Sequence, residues 1–143
     1  MKITPNAVIS GVIRNLTAKD YTVYKETMTN PSYPHCFVES PNLNVERQGN
    51  LFLLTYLITI QYRYNAEPHT VGDINKRLDL IGLDFMTLLD SINADGQKLL
   101  SKNMTLEKVD GVLQCNMNFT VKANKDEVEE ILMEELEVNE RTN

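Results

Sequence analysis

The chain is poor in the residues that build chemical centres or covalent frameworks. Two cysteines, Cys36 and Cys115, among 143 residues are too few for a disulfide scaffold or a four-cysteine zinc site. Both sit in strand-like segments among apolar neighbours, with no base or cationic helix end nearby. They therefore read as small buried hydrophobes and not as nucleophiles. The two histidines, His35 and His69, lie in proline-flanked loops, away from any helix or strand face shared with carboxylates. That placement argues against a metal centre or a general base. The glycines at 11, 49, 72, 82, 96 and 111 are too dispersed for G-x-G-x-x-G or G-x-x-x-x-G-K-[ST], so no phosphate cradle is encoded. No basic-then-apolar leader and no run of 18 apolar residues is present, and the expectation is a soluble protein made in a reducing compartment. On that expectation the N-x-[ST] matches at Asn15, Asn103 and Asn118 are coincidental.

Composition is otherwise that of a globular domain, with 42% hydrophobic and 24% charged residues, and a chain of this length buries roughly two-thirds of its unfolded surface around one core. The net charge of −6 is not evenly spread. Residues 1–123 carry 12 Lys+Arg and 12 Asp+Glu and sum to zero, whereas residues 124–143 carry 2 basic residues against 8 acidic ones. The division predicts a single neutral domain over 1–123 and an acidic C-terminal arm over 124–143. Neither part has the clustered Lys/Arg footprint of a nucleic-acid reader.

Thr4-Pro5 reads as an N-cap followed by proline at the first helical position. Val8, Ile9, Val12, Ile13 and Leu16 then recur at helical spacing, which predicts an amphipathic helix over 5–16. Short β-prone pieces follow at Thr22–Lys25 and Cys36–Glu39, with a Pro/Asn/Ser loop between them. From Leu51 to Tyr64 the even positions Phe52, Leu54, Tyr56, Ile58, Ile60, Tyr62 and Tyr64 share one face of a strand. Fourteen extended residues span about 46 Å, against a domain diameter of roughly 37 Å. Such a strand must coil strongly or project as one arm of a β-ribbon, with Asn42–Arg47 as the other arm. Val45, Leu51, Phe52 and Leu53, near the ribbon tip, are therefore candidate interface residues.

Thr70-Val71-Gly72-Asp73 resembles a capping box and opens a second helix, whose seam of Val71, Ile74, Leu78, Ile81, Phe85, Leu88 and Ile92 predicts a helix to about Ile92. Gly82 inside it allows close approach to a neighbour. Asp110-Gly111 is a type I′ turn pair between strands at Met104–Val109 and Val112–Val121. In the second of these, Leu113, Cys115, Met117, Phe119 and Val121 face the core, while Gln114, Asn116, Asn118 and Thr120 face outward without charge. Gln114, Asn116 and Asn118 are accordingly candidates for lining an interface or a lumen. Val128, Ile131, Leu132 and Leu136 can continue as an acidic amphipathic helix, which reads either as a solvated, frayed terminus or as an arm whose Ile131, Leu132, Leu136 and Val138 dock on a partner while the acids steer the approach. The fold class expected is α+β: a mixed, mainly antiparallel sheet with two amphipathic helices packed on it, a long β-ribbon and an acidic arm.

The order of elements itself is familiar. A short helical start, a β segment ending Pro34-His35-Cys36-Phe37-Val38, a long strand running into Tyr62, a helix ending near Leu88-Leu89-Asp90-Ser91-Ile92 and a β-hairpin resemble the small tail terminator, or tail completion, proteins of Gram-positive phages, prophages and phage tail-like particles. The hairpin Leu106-Glu107-Lys108-Val109-Asp110-Gly111-Val112-Leu113 and the ending Met133-Glu134-Glu135-Leu136-Glu137-Val138-Asn139-Glu140 look especially like that family. The strand after Val112 departs from it, carrying Cys115-Asn116-Met117-Asn118 where more aromatic residues are expected.

The resemblance implies a non-enzymatic structural protein without cofactor or metal. It implies a homo-oligomeric, hexameric ring that caps the head-proximal end of a tail tube, stops tube polymerisation and joins it to the neck or collar. The implied partners are the tail tube protein and neck, collar or sheath proteins, with no sequence-specific nucleic acid and no membrane. The implied places are the bacterial host cytoplasm during assembly and then the virion tail or tail-like particle. Glu134, Glu135, Leu136, Glu137 and Val138 are the candidate contacts of the arm. Two alternatives stay open from the residues: another neck component, such as a head–tail connector or stopper, and a small ligand-binding or enzymatic α+β domain.

Overall fold

The computed structural model describes residues 4–25, 31–39, 42–64, 71–130 and 132–133. Along the chain come α1 (Pro5–Thr17), β1 (Val23–Tyr24), β2 (His35–Val38), β3 (Asn42–Gln48), β4 (Leu51–Arg63), α2 (Val71–Leu88), β5 (Ser91–Ala94), β6 (Gln97–Val109) and β7 (Val112–Asn124). Residues 125–130, 132 and 133 are helical and form a terminal helical segment. The strands make one sheet in the order β1-β2-β4-β7-β6-β5, with β3 also paired to β4. Only the β1–β2 pair is parallel.

The long strand is accommodated by a partner of equal length. All thirteen residues of β4 pair with β7, from Leu51 opposite Asn124 to Arg63 opposite Val112. On the other edge of β4, β3 takes Leu51–Leu57 and β2 takes Ile60–Arg63. Alternation then gives the sheet two unlike faces. Leu54, Tyr56, Ile58, Ile60 and Tyr62 of β4 and Leu113, Cys115, Met117, Phe119 and Val121 of β7 are buried together with Val8, Val12 and Leu16 of α1 and Ile74, Leu78 and Phe85 of α2. Both helices thus cover the same face of an α+β fold, and the other face carries no helix among the described residues.

α1 begins as its sequence specifies: the Thr4 hydroxyl accepts the Ala7 N–H at 3.1 Å, with Pro5 at the first helical position. Its inward side lies close on β5, where a Cβ placed on Gly11 would fall 2.6 Å from the Asn93 carbonyl oxygen. One turn on, the Asn15 amide donates to the carbonyls of Leu88 at 3.0 Å and Ser91 at 2.8 Å. α1 therefore satisfies the carbonyl at the end of α2 and fixes the start of β5. A Cβ placed on Gly82 would meet Leu106 and Leu113 at ordinary contact distance, so of the two helical approaches Gly11 makes the tighter.

The end of α2 and the start of β6 differ from expectation. α2 ends at Leu88, not Ile92, and residues 91–94 are strand β5. Leu89 and Ile92 are buried, and their spacing fits a continuing helical seam as well as it fits a turn followed by a strand. Leu88, a member of the expected seam, stands at the helix end and is only partly buried. β6 begins at Gln97, seven residues before Met104. Asp95-Gly96 is a second turn of the same kind as Asp110-Gly111, with φ of 49° and 79° against 49° and 76°. The first half of β6 lacks clean alternation because the register slips between Lys102 and Thr105, where Asn103 takes φ 55°. The capping position expected at Thr70 lies outside the described residues.

Two outcomes follow from this packing. Phe85 is fully buried, its ring 5.4 Å from that of Tyr21 and 6.2 Å from that of Tyr62, so Phe85→Ala is expected to cost about 3–5 kcal/mol in urea unfolding. A midpoint close to that of the parent would remove Phe85 from the centre of the core. Gly11→Ala gains about 1 kcal/mol of helix propensity but drives a methyl into a backbone oxygen, and a net loss of about 1–3 kcal/mol is expected. Unchanged or raised stability would show that α1 and β5 separate freely.

Candidate functional site

Among the described residues no group of three or more His, Cys, Asp or Glu is placed to hold a metal ion, and no described helix is long and apolar enough to cross a membrane. His35 is buried, its Nδ1 3.1 Å from the Ser32 carbonyl and its ring packed near Tyr24 and Tyr33. Burial lowers its basicity. His69 lies outside the described residues. Cys36 and Cys115 are fully buried free thiols, and burial pushes each up to about 12. The surfaces, and not a reactive cluster, are the features that remain.

The first surface is the helix-free face of the sheet. Thr55 stands opposite Thr120, Leu57 opposite Asn118, Thr59 opposite Asn116 and Gln61 opposite Gln114. The Thr59 hydroxyl donates to Asn116 Oδ1 at 2.8 Å, and Gln61 Nε2 donates to Glu39 Oε1 at 3.3 Å. From Thr55 to Gln61 and from Gln114 to Thr120 the side chains of this two-strand band carry no charge. Gln114, Asn116 and Asn118 lie together on it as predicted, half-buried. Leu53 and Leu51 lie on the same face nearer the β3–β4 turn, opposite Lys122 and Asn124.

The second surface lies on the helix side, beneath the β3–β4 hairpin. A groove of about 320 Å³ is lined by Thr4, Pro5, Leu43, Val45, Phe52, Leu54, Tyr56, Val128 and Leu132. Val45 stands opposite Leu54 and Leu43 opposite Tyr56, so β3 lays its two apolar side chains over the end of the core face. All of β3 is nevertheless exposed, Val45 at 56% and Leu43 at 42%. Val45 and Phe52 thus belong to the groove, whereas Leu51 and Leu53 point to the opposite side of the same ribbon. Sequence reasoning did not single out Leu43, although the register that buries Leu54 and Tyr56 selects it. A row of exposed apolar side chains, Leu80, Leu83 and Met86, also runs along the outer side of α2. The arm residues Glu134, Glu135, Leu136, Glu137 and Val138 lie outside the described residues.

The buried thiols give a check on this division between core and surface. Their protonated form is favoured by the fold, so the associated stability is complete below the ordinary thiol pKa near 8.5 and is lost as pH rises toward about 12. Iodoacetamide at pH 8 is expected to leave both thiols unlabelled in the native protein and to label both in urea, read by mass. Rapid native labelling of either would place it at an accessible surface.

No curated protein matches the chain. The model of a family described as phage tail terminator protein matches residues 7–131, a span running from Ala7 in α1 through every strand into the terminal helical segment. The matched span takes in both the helix-free face and most of the apolar groove's lining, and the chain belongs to the phage tail terminator protein family.

Proposed function

We propose that this chain is a ring-forming, non-enzymatic subunit that caps the head-proximal end of the tail tube, stops its polymerisation and joins it to the neck or collar. Family membership makes it a structural phage tail protein. The observation that carries the finer reading is the apolar groove under the β3–β4 hairpin, with Val45, Leu43 and Leu132 open to solvent in the isolated chain. A concave apolar surface at the end of a thirteen-residue strand pair is suited to receiving a neighbour. It lies on one side of the sheet while the Thr/Asn/Gln band lies on the other, so contacts made through both are heterologous, and heterologous contacts close rings when the rotation allows.

In this reading Val45, Leu51, Phe52 and Leu53 join subunits to one another or to the last tube ring. The face of Gln114, Asn116 and Asn118 lines an interface or the lumen. The neutral domain over 1–123 carries the fold, and the acidic arm over 124–143 serves assembly. Val128 packs against the core, which anchors the start of that arm beside the groove.

Native mass of the purified chain is the test. A closed ring of about six subunits is expected, and Val45→Glu with Leu51→Glu is expected to abolish it while the monomer melts normally, because both side chains are exposed. A parent chain that stays monomeric at high concentration would overturn the ring. Normal assembly of the double variant would remove the ribbon tip from the joint.

A further inference from the structure

We infer that the helix-free face carries a docking patch, centred on Leu100 and framed by Lys98, Lys102 and Lys122, whose occupant is the acidic terminal helical segment of a second copy of this chain. The inference deepens the ring reading and rests on it, because it names the two surfaces that meet at the joint.

Register places the patch. Leu99 pairs with Ile92 and both are buried, so Lys98 and Leu100 point to the opposite, helix-free side. Ser101 pairs with the core residue Phe119, so Lys102, opposite Asn118, shares that side. Lys122 stands there too, between the buried Val121 and Ala123. Because β6 and β7 are antiparallel, the step from Lys102 to Lys98 and the step from Asn118 to Lys122 run the same way along the sheet. Leu100, 58% exposed, therefore sits between two lysines on its own strand, with a third on the neighbouring strand. None of the three is in an ion pair with a described residue. The nearest carboxylate along the rung of Lys122 is Glu46, beyond Leu53.

The terminal helical segment presents the complement. Val128 and Leu132 turn inward to the groove, which leaves Asp126, Glu129, Glu130 and Met133 at the i, i+3, i+4, i+7 spacing of the outer side. All four are exposed, Met133 at 65%. Lys125 reaches only Glu129, at 3.9 Å. An exposed apolar side chain framed by three acids matches an exposed apolar side chain framed by three bases. The two surfaces lie on opposite sides of the sheet, so one copy cannot satisfy both, and a neighbour in head-to-tail order can. Burying Met133 against Leu100 supplies apolar contact, while the charges align the encounter and exclude the reversed pairing.

The experiment uses two full-length charge-reversed chains, Lys98→Glu/Lys102→Glu/Lys122→Glu and Asp126→Lys/Glu129→Lys/Glu130→Lys. Assembly is followed by sedimentation over a concentration series. Each alone is expected to assemble at a concentration at least about tenfold higher than the parent, since like charges then meet at every joint. An equimolar mixture is expected to assemble like the parent, because every joint in an alternating ring again pairs opposite charges. A single chain carrying all six changes is also expected to assemble, which separates a lost joint from a lost fold. Parent-like assembly of either reversed chain alone, or failure of both the mixture and the sixfold variant to assemble, overturns the inference while a parent ring leaves the terminator reading standing. A parent that never assembles overturns both. If the lysine-reversed chain assembles normally but loses retention of a duplex DNA probe, the patch is a nucleic-acid surface and the inference falls.

Discussion

The pairing of β4 with β7 over thirteen residues is the constraint on which the rest of the molecule depends. Strand alternation divides that pair into a face of Leu, Tyr, Ile, Cys, Met and Phe and a face of Thr, Asn, Gln and Leu with Lys122 and Arg63 toward its two ends. A slip of one residue would exchange the two faces, carrying Asn116 and Thr59 into the core and Cys115 and Ile60 out of it. The apolar face fixes where α1 and α2 pack, and the packing of α1 in turn fixes β5 through Gly11 and Asn15. The groove lies toward the β3 side of this pair, and the lysine patch takes Lys122 from β7 and Lys98 and Lys102 from β6.

A family of structural tail proteins accords with that division of labour. Within the described residues the polar groups at depth are few and serve the fold: Asn15 holds the end of α2, His35 sits beside a loop carbonyl, and the Tyr21 hydroxyl donates to Asp84. Burial, reinforced by that carboxylate, holds Tyr21 protonated far above the usual phenol range.

The sequence made the regular elements legible wherever period and punctuation agreed. Thr4-Pro5 marked the start of α1, the even positions from Phe52 to Tyr62 marked β4, and Asp110-Gly111 marked the β6–β7 turn. Reading failed where one residue set satisfied two periods: Leu89 and Ile92 extended the helical seam past its end, and the slip at Lys102–Thr105 hid the first half of β6. Asp95-Gly96 carried the missing information, since its turn geometry matches that of Asp110-Gly111. Gln114, Asn116 and Asn118 could be grouped from alternation alone. Val45 and Phe52 could be selected but not assigned to a groove, because its other wall comes from residues far along the chain, Val128 and Leu132. The lysine patch was invisible for the same reason, since it needs the pairing of β5, β6 and β7 to bring its members to one face.

The order in which the long pair is built has a kinetic side. β3 with β4, and β6 with β7, are hairpins joined by tight turns, and their contacts are local. The ladder between β4 and β7 joins residues 49 positions apart at Arg63–Val112 and 73 apart at Leu51–Asn124. Closing so wide a loop carries an entropy cost that local hairpin contacts do not meet, and chains dominated by such pairings fold slowly. Until that ladder zips, each hairpin shows an unpaired edge beside a row of large apolar side chains. An unpaired edge of that kind is open to joining another chain in the wrong partnership, and the closed ladder removes it.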